Sequence, residues 1–118
     1  MRFLPALAFG TLMLPLAALA NDPNSYAQPD QVRVTHLDLD LHIDFPHKQL
    51  DGQATLKLDW TNPQAQSLVL DTRDLKIAKI EALSSNGKAT PLKYALAPRD
   101  KDLGSKLTIA APKHPAQV

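Results

Sequence analysis

Five side chains able to carry charge or bind a metal stand at alternate positions of VTHLDLDLHIDF, residues 34–45: His36, Asp38, Asp40, His42 and Asp44. Imidazole and carboxylate are zinc ligands and general acid–base groups, so the chemistry to weigh is a metal site or a proton-transfer pair. The alternation decides against the full set. A strand rises about 3.3 Å per residue, which sets alternate side chains roughly 6.6 Å apart. Ligands of one zinc ion must lie within about 4 Å of each other, given metal–ligand bonds near 2.0–2.1 Å. A neighbouring pair such as Asp40 and His42 can converge by rotamer choice, but five cannot. Leu37, Leu39, Leu41, Ile43 and Phe45 occupy the other phase, the pattern of a half-buried antiparallel strand. The His/Asp row is expected to be its solvated side.

The remaining chemistry-bearing residues are scattered. The chain has no H-E-x-x-H, no G-x-S-x-G, no glycine-rich phosphate loop and no Asp/Asn calcium loop. His47 and His114 sit beside prolines in expected loops. Trp60 reads as a core or edge aromatic rather than a ligand platform. Arg99, Asp100, Lys101 and Asp102 form a mixed-sign run, the composition of a solvated loop.

The elements that carry these residues are expected to be strands. NDPNSYAQPDQ, residues 21–31, is polar and proline-bearing and reads as an extended arm. Apolar period two begins at Val32, with Val32 and Val34 out of phase with Leu37–Phe45, which predicts a bulge near Thr35. Pro46–Gln49 is the expected hairpin loop. Alternation resumes through Leu50, Gly52, Ala54, Leu56, Leu58 and Trp60, and Asn62-Pro63 closes it. A short strand follows at Ser67–Leu70, ended by Asp71–Asp74. Leu75–Leu83 is ambiguous, since Leu75, Ala78 and Ala82 also fit a helix; its β-branched residues favour a strand. Asn86-Gly87 predicts a hairpin turn, Thr90–Leu96 the returning strand, and Lys106–Ala110 a last one. The class is all-β, with about six strands and no helix.

The first twenty residues, MRFLPALAFGTLMLPLAALA, carry one basic residue, an apolar run and Ala18-Leu19-Ala20 before polar Asn21. They read as a secretory signal peptide cleaved after Ala20. The run is shorter than a membrane span requires and holds Pro5 and Pro15, so no span is expected after cleavage. No cysteine follows that would accept a lipid. Cleavage removes only Arg2 from 13 basic and 12 acidic residues. The balanced remainder argues against a nucleic-acid or anionic-membrane partner. Absence of cysteine excludes a disulfide framework and thiolate chemistry and suits a bacterial periplasmic or secreted protein. About 98 residues then remain, near the lower size at which burial offsets chain entropy.

Three segments together resemble a known family: NSYAQPDQVRVTHLDLDLHIDFPHKQLDGQATLKLDW, then SLVLDTRDLKIAKIEAL, then LKYALAPRDKDLGSKLTIAAP. They are similar to the beginning of the zinc aminopeptidases of peptidase family M1, related to leukotriene A4 hydrolase and aminopeptidase N, over about Asp22 to Pro112. LVLDTRDL at Leu68–Leu75 and the spacing to KYAL at Lys93–Leu96 are the most specific parts. The resemblance implies a saddle-like β-sandwich of antiparallel or mixed sheets at residues 32–118, incomplete at its C-terminal edge. It further implies a following catalytic domain whose zinc, held by H-E-x-x-H and a downstream glutamate, activates water for removal of N-terminal residues from peptides. None of those signatures occurs here, so no catalytic, cofactor-binding or metal residue transfers to a position of this chain. Zinc and peptide substrates belong to the parent enzyme, and the catalytic domain is the expected partner.

APKHPAQV at the end looks like the lead-in to a further strand. The expectation is therefore a non-catalytic N-terminal portion of a secreted aminopeptidase. The alternative is a stand-alone periplasmic β-module that binds a protein or glycan. A stand-alone metalloprotein using His36, Asp38, Asp40 and His42 is weaker, on the strand geometry above.

Overall fold

The computed structural model describes residues 22–118; the expected signal peptide, residues 1–20, lies outside the described residues. The described residues form seven strands: β1 (Val32–Asp44), β2 (Gln49–Trp60), β3 (Ser67–Thr72), β4 (Glu81–Leu83), β5 (Ala89–Pro91), β6 (Tyr94–Leu96) and β7 (Ser105–Ala110), of which β1, β2, β3 and β7 lie where the sequence predicts strands. Every pairing is antiparallel. Among the described residues no helix is long and apolar enough to cross a membrane.

β1 and β2 form a long hairpin in which Leu37 faces Leu56, Leu39 faces Ala54, Leu41 faces Gly52 and Ile43 faces Leu50. Its register slips between Val34 and His36, the bulge that the phase change predicts at Thr35. The Thr35 hydroxyl donates to the Lys57 carbonyl there. β3, β7 and β6 make a three-stranded sheet in that order. β4 and β5 are joined by the five residues Ser84–Lys88, closed by Ser84 N–H to Lys88 O. Gly87 adopts φ 82°, whereas Asn86 is not in the positive-φ region, so the Asn-Gly signal marks a turn of another type than the two-residue one.

Leu75–Leu83 differs from expectation. Only Glu81–Leu83 is strand, and residues 73–80 are irregular. Ile77 and Ile80 pack against the core, so the apolar spacing there supplies plugs for a loop, not a continuous strand. Thr90–Leu96 also divides: Pro91 lacks the N–H that would extend the ladder, and Tyr94–Leu96 crosses to β7.

The core gathers Val32, Leu68, Leu107, Ile109 and Val118, with Leu56, Leu58, Trp60 and Leu92 packed against it. Residues 116–118 close it as an extended segment that bridges to two strands at Gln117. Leu56 N–H donates to Val118 O (2.7 Å), Leu58 N–H to Ala116 O (2.9 Å), and on the other side Leu83 N–H to Gln117 O (2.9 Å). The C-terminal residues thus lie between β2 and β4, where the sequence suggested only a lead-in to a strand. Trp60 stacks on His114, ring centroids 4.3 Å apart and nearly parallel, and donates its indole N–H to Pro115 O.

The distal hairpin lies away from this core. Leu39 is 57% exposed and Phe45 79%, so the face read as half-buried is covered only toward its base, at Leu56 and Leu58. Truncations should separate the two regions. Leu68→Ala or Ile109→Ala, at sites 1% exposed, is expected to cost about 2–5 kcal/mol. Leu39→Ala in dilute protein should stay within about 0.5 kcal/mol of the unaltered chain. Midpoints of urea unfolding make the comparison, and a Leu39→Ala loss equal to that of Leu68→Ala would place Leu39 in the core.

Candidate functional site

The His/Asp row is built by the pleat of β1. With Leu37, Leu39, Leu41 and Ile43 on one face, His36, Asp38, Asp40, His42 and Asp44 share the other. Opposite them on β2 stand Lys57, Thr55, Gln53, Asp51 and Gln49. The row is exposed along its length, apart from half-buried Asp44.

Within it the structure brings together pairs, not a cluster. His36 Nε2 lies 3.1 Å from Asp38 Oδ1, and His47 Nδ1 lies 2.8 Å from Asp44 Oδ2. The His47 backbone N–H also donates to Asp44 Oδ1, so Asp44 fastens the hairpin loop. Exposed pairs of this kind contribute roughly 0–1 kcal/mol. Asp40, Leu41, His42, Gly52 and Gln53 outline a shallow, open depression. Gly52 adopts φ 154°, and a Cβ there would run into the Asp40 carbonyl oxygen. The glycine therefore permits close approach of the two backbones and leaves no room for a side chain. Among the described residues no three His, Asp or Glu are grouped so as to hold a metal ion.

Other polar residues act as fasteners. Asp71, 45 positions from Tyr26, accepts from the Ser25 hydroxyl (2.5 Å) and the Tyr26 N–H (2.7 Å), which ties the arm at residues 22–31 to β3. Lys106 Nζ lies 5.9 Å from the Tyr26 ring centroid, adding a cation–π contact. The charged run is a built turn: Asp100 accepts from the N–H groups of Leu103 and Asp102. Those two bonds hold its carboxyl below the usual 3.8. Arg99 pairs with Asp74 at 2.8 Å, and Arg73 donates to the Asp102 carbonyl. His114, which had no evident partner in sequence, is the Trp60 stacking partner and contacts the Ala65 carbonyl through Nε2. A histidine 54 positions from its tryptophan leaves no local signal that would reveal this.

No protein-family model matches the chain. It is 33% identical over 91 residues to leukotriene A-4 hydrolase of Xenopus laevis, covering 77% of this chain and 14% of that protein. Leucine aminopeptidase 2 of Ajellomyces capsulatus is 33% identical over 89 residues, and that of Coccidioides immitis 29% over 90, each covering 75% of this chain and 14% of the relative. Yeast leukotriene A4 hydrolase, solved in complex with bestatin, superposes with a TM-score of 0.66 and 23% identity. That match covers 89% of this chain and 17% of the solved one, and at such identity it speaks to the fold. The chain spans about a seventh of the length of the curated relatives it matches.

The His/Asp face should be chemically quiet. Asp40→Ser or His42→Ser is expected to change stability by no more than about 0.5 kcal/mol, and calorimetric titration with zinc should give no stoichiometric binding. Tight binding lost in Asp40→Ser would establish a metal site on β1.

Proposed function

From a chain that belongs to the leukotriene A4 hydrolase and leucine aminopeptidase family, peptidase family M1, over about 75% of its length, we propose an origin in the β-domain of a larger aminopeptidase. The observation that carries this reading is the 33% identity to leukotriene A-4 hydrolase across 91 residues, joined to the shared all-β fold. In the parent enzyme a zinc-bearing catalytic domain removes N-terminal residues from peptides. The β-domain flanks its cleft and helps position the free amino end of the substrate.

Zinc in this family polarises a carbonyl and activates water, which requires three protein ligands and a general base in one cleft. The described residues do not fit that requirement: the His and Asp side chains of β1 occur as separate exposed pairs. No zinc-dependent step is therefore assigned to this chain, and its role is structural support of a catalytic partner. The apolar leader ending in Ala18-Leu19-Ala20 supports export, with the mature protein in the periplasm or outside the cell.

The purified chain should release no product from aminoacyl anilides, with or without added zinc. Zinc-dependent turnover that persists through repurification would overturn the non-catalytic reading. A second measurement addresses export. Mass analysis of periplasmic or culture material should find Asn21 at the N-terminus, and a chain retaining Met1 in the membrane fraction would contradict cleavage.

A further inference from the structure

The outer edge of β1 is unpartnered among the described residues and is chemically suited to pair with itself. Leu56 exchanges backbone hydrogen bonds with Val118, at 2.7 and 3.1 Å, on the side away from β1. Leu37 lies directly opposite Leu56, so these two form a non-hydrogen-bonded pair of the β1–β2 ladder. The N–H and C=O of Leu37 then also point outward. By the two-residue period Leu39, Leu41 and Ile43 do the same. No described residue outside β2 pairs with this stretch.

Natural sheet edges are blunted by charged side chains, lysine above all, and by proline or a bulge. Here the bulge stands at Thr35 and the proline at Pro46. Between them, His36–Asp44 contains neither lysine nor proline. Nine regular residues with an open ladder are left, guarded only by the carboxylates of Asp38, Asp40 and Asp44, which histidines of a facing strand can partner.

We propose that β1 pairs antiparallel with β1 of a second copy about a two-fold axis at Asp40, joining two hairpins into one four-stranded sheet. Charge complementarity selects the register. An axis at Asp40 sets Asp38 opposite His42 of the second copy and His36 opposite Asp44, and symmetry repeats both pairs. An axis at Leu39 would instead oppose Asp38 to Asp40 and His36 to His42. One at Leu41 would keep Asp40 opposite His42 but oppose Asp38 to Asp44, two attractive pairs against two repulsive ones. The selected register carries a single like pair, Asp40 with itself, at the axis.

The polar residues fall at non-hydrogen-bonded positions of the new ladder, where Cα atoms approach to about 4.5 Å and side chains are closest. His36 already holds Asp38, and His47 holds Asp44, so the new pairs extend existing contacts. On the opposite face Leu39 comes beside Leu41 of the second copy, and Leu37 beside Ile43. One edge ladder is small against a standard interface, so the association is of the weak class.

The chain contains no cysteine, so single cysteines can report the axis directly. The full 118-residue chain carrying Asp40→Cys, Asp38→Cys or His42→Cys is oxidised mildly and resolved under non-reducing conditions. At the axis, position 40 meets itself at about 4.5 Å, within disulfide reach. Positions 38 and 42 each lie roughly 13 Å from their own copies, beyond the limit of about 7 Å. Asp40→Cys is expected to form a covalent dimer at least tenfold faster than either other variant. Equal rates for all three, as association through residues 1–21 would give, overturn the proposal, and so does fastest cross-linking of Asp38→Cys or His42→Cys. Independently, sedimentation should show a dimer of the unaltered chain weakened about tenfold by His42→Asp and restored when Asp38→Lys is added. A monomer at millimolar concentration, or no rescue in the double variant, would sink the pairing.

Discussion

The short ladder that Ala116–Val118 makes with Leu56 and Leu58 on one side and Leu83 on the other joins otherwise separate pieces of the structure. Without it the β1–β2 hairpin and the β4–β5 hairpin would share no backbone bond. Four hydrogen bonds of this kind contribute individually about 1 kcal/mol net. Their larger effect is to bring Val118 into the core beside Val32, Leu68, Leu107 and Ile109. The adjoining turn reinforces the same seam, since Trp60 both stacks on His114 and donates to Pro115. Polar fastening and apolar burial therefore meet along one line.

That seam was hard to read in the sequence, whereas the long hairpin was plain. Thirteen- and twelve-residue strands display period two many times over, and the phase change at Thr35 located the bulge because a bulge is a phase change. Short strands carry no such repetition. The three residues of β4 and the three of β6 are set by what lies beside them, so Leu75–Leu83 and Thr90–Leu96 each looked like one strand. APKHPAQV contains two prolines and no alternation, and its pairing depends on partners about sixty positions earlier. The His/Asp row was legible for the same reason as the hairpin: spacing along a strand is fixed by covalent geometry. The His36–Asp38 and His47–Asp44 contacts follow from rotamers and a loop, which spacing alone does not determine.

Alternation also misled in one respect. An apolar stripe on a strand predicts burial, yet Leu37, Leu39, Leu41, Ile43, Phe45 and Leu50 are largely exposed. Period two states which side chains share a face, and only the surrounding structure states whether that face is covered. The difference matters for function, because a contiguous exposed apolar face marks a place where another surface fits. In family terms the chain spans about a seventh of the curated relatives it matches.

The position of residues 116–118 also sets an order of events during synthesis. Leu56 and Leu58 emerge early, yet their outer backbone groups find partners only after some sixty further residues have been made. The β1–β2 hairpin can form locally as soon as it is free, on the scale of about 1–10 μs. Closure of the core must wait for residues 116–118 and for a long loop to close around them, which slows topologies rich in distant contacts. A ribosome delivering this chain therefore exposes a finished hairpin before its core is closed, and the time taken to make residues 61–118 sets the least duration of that state.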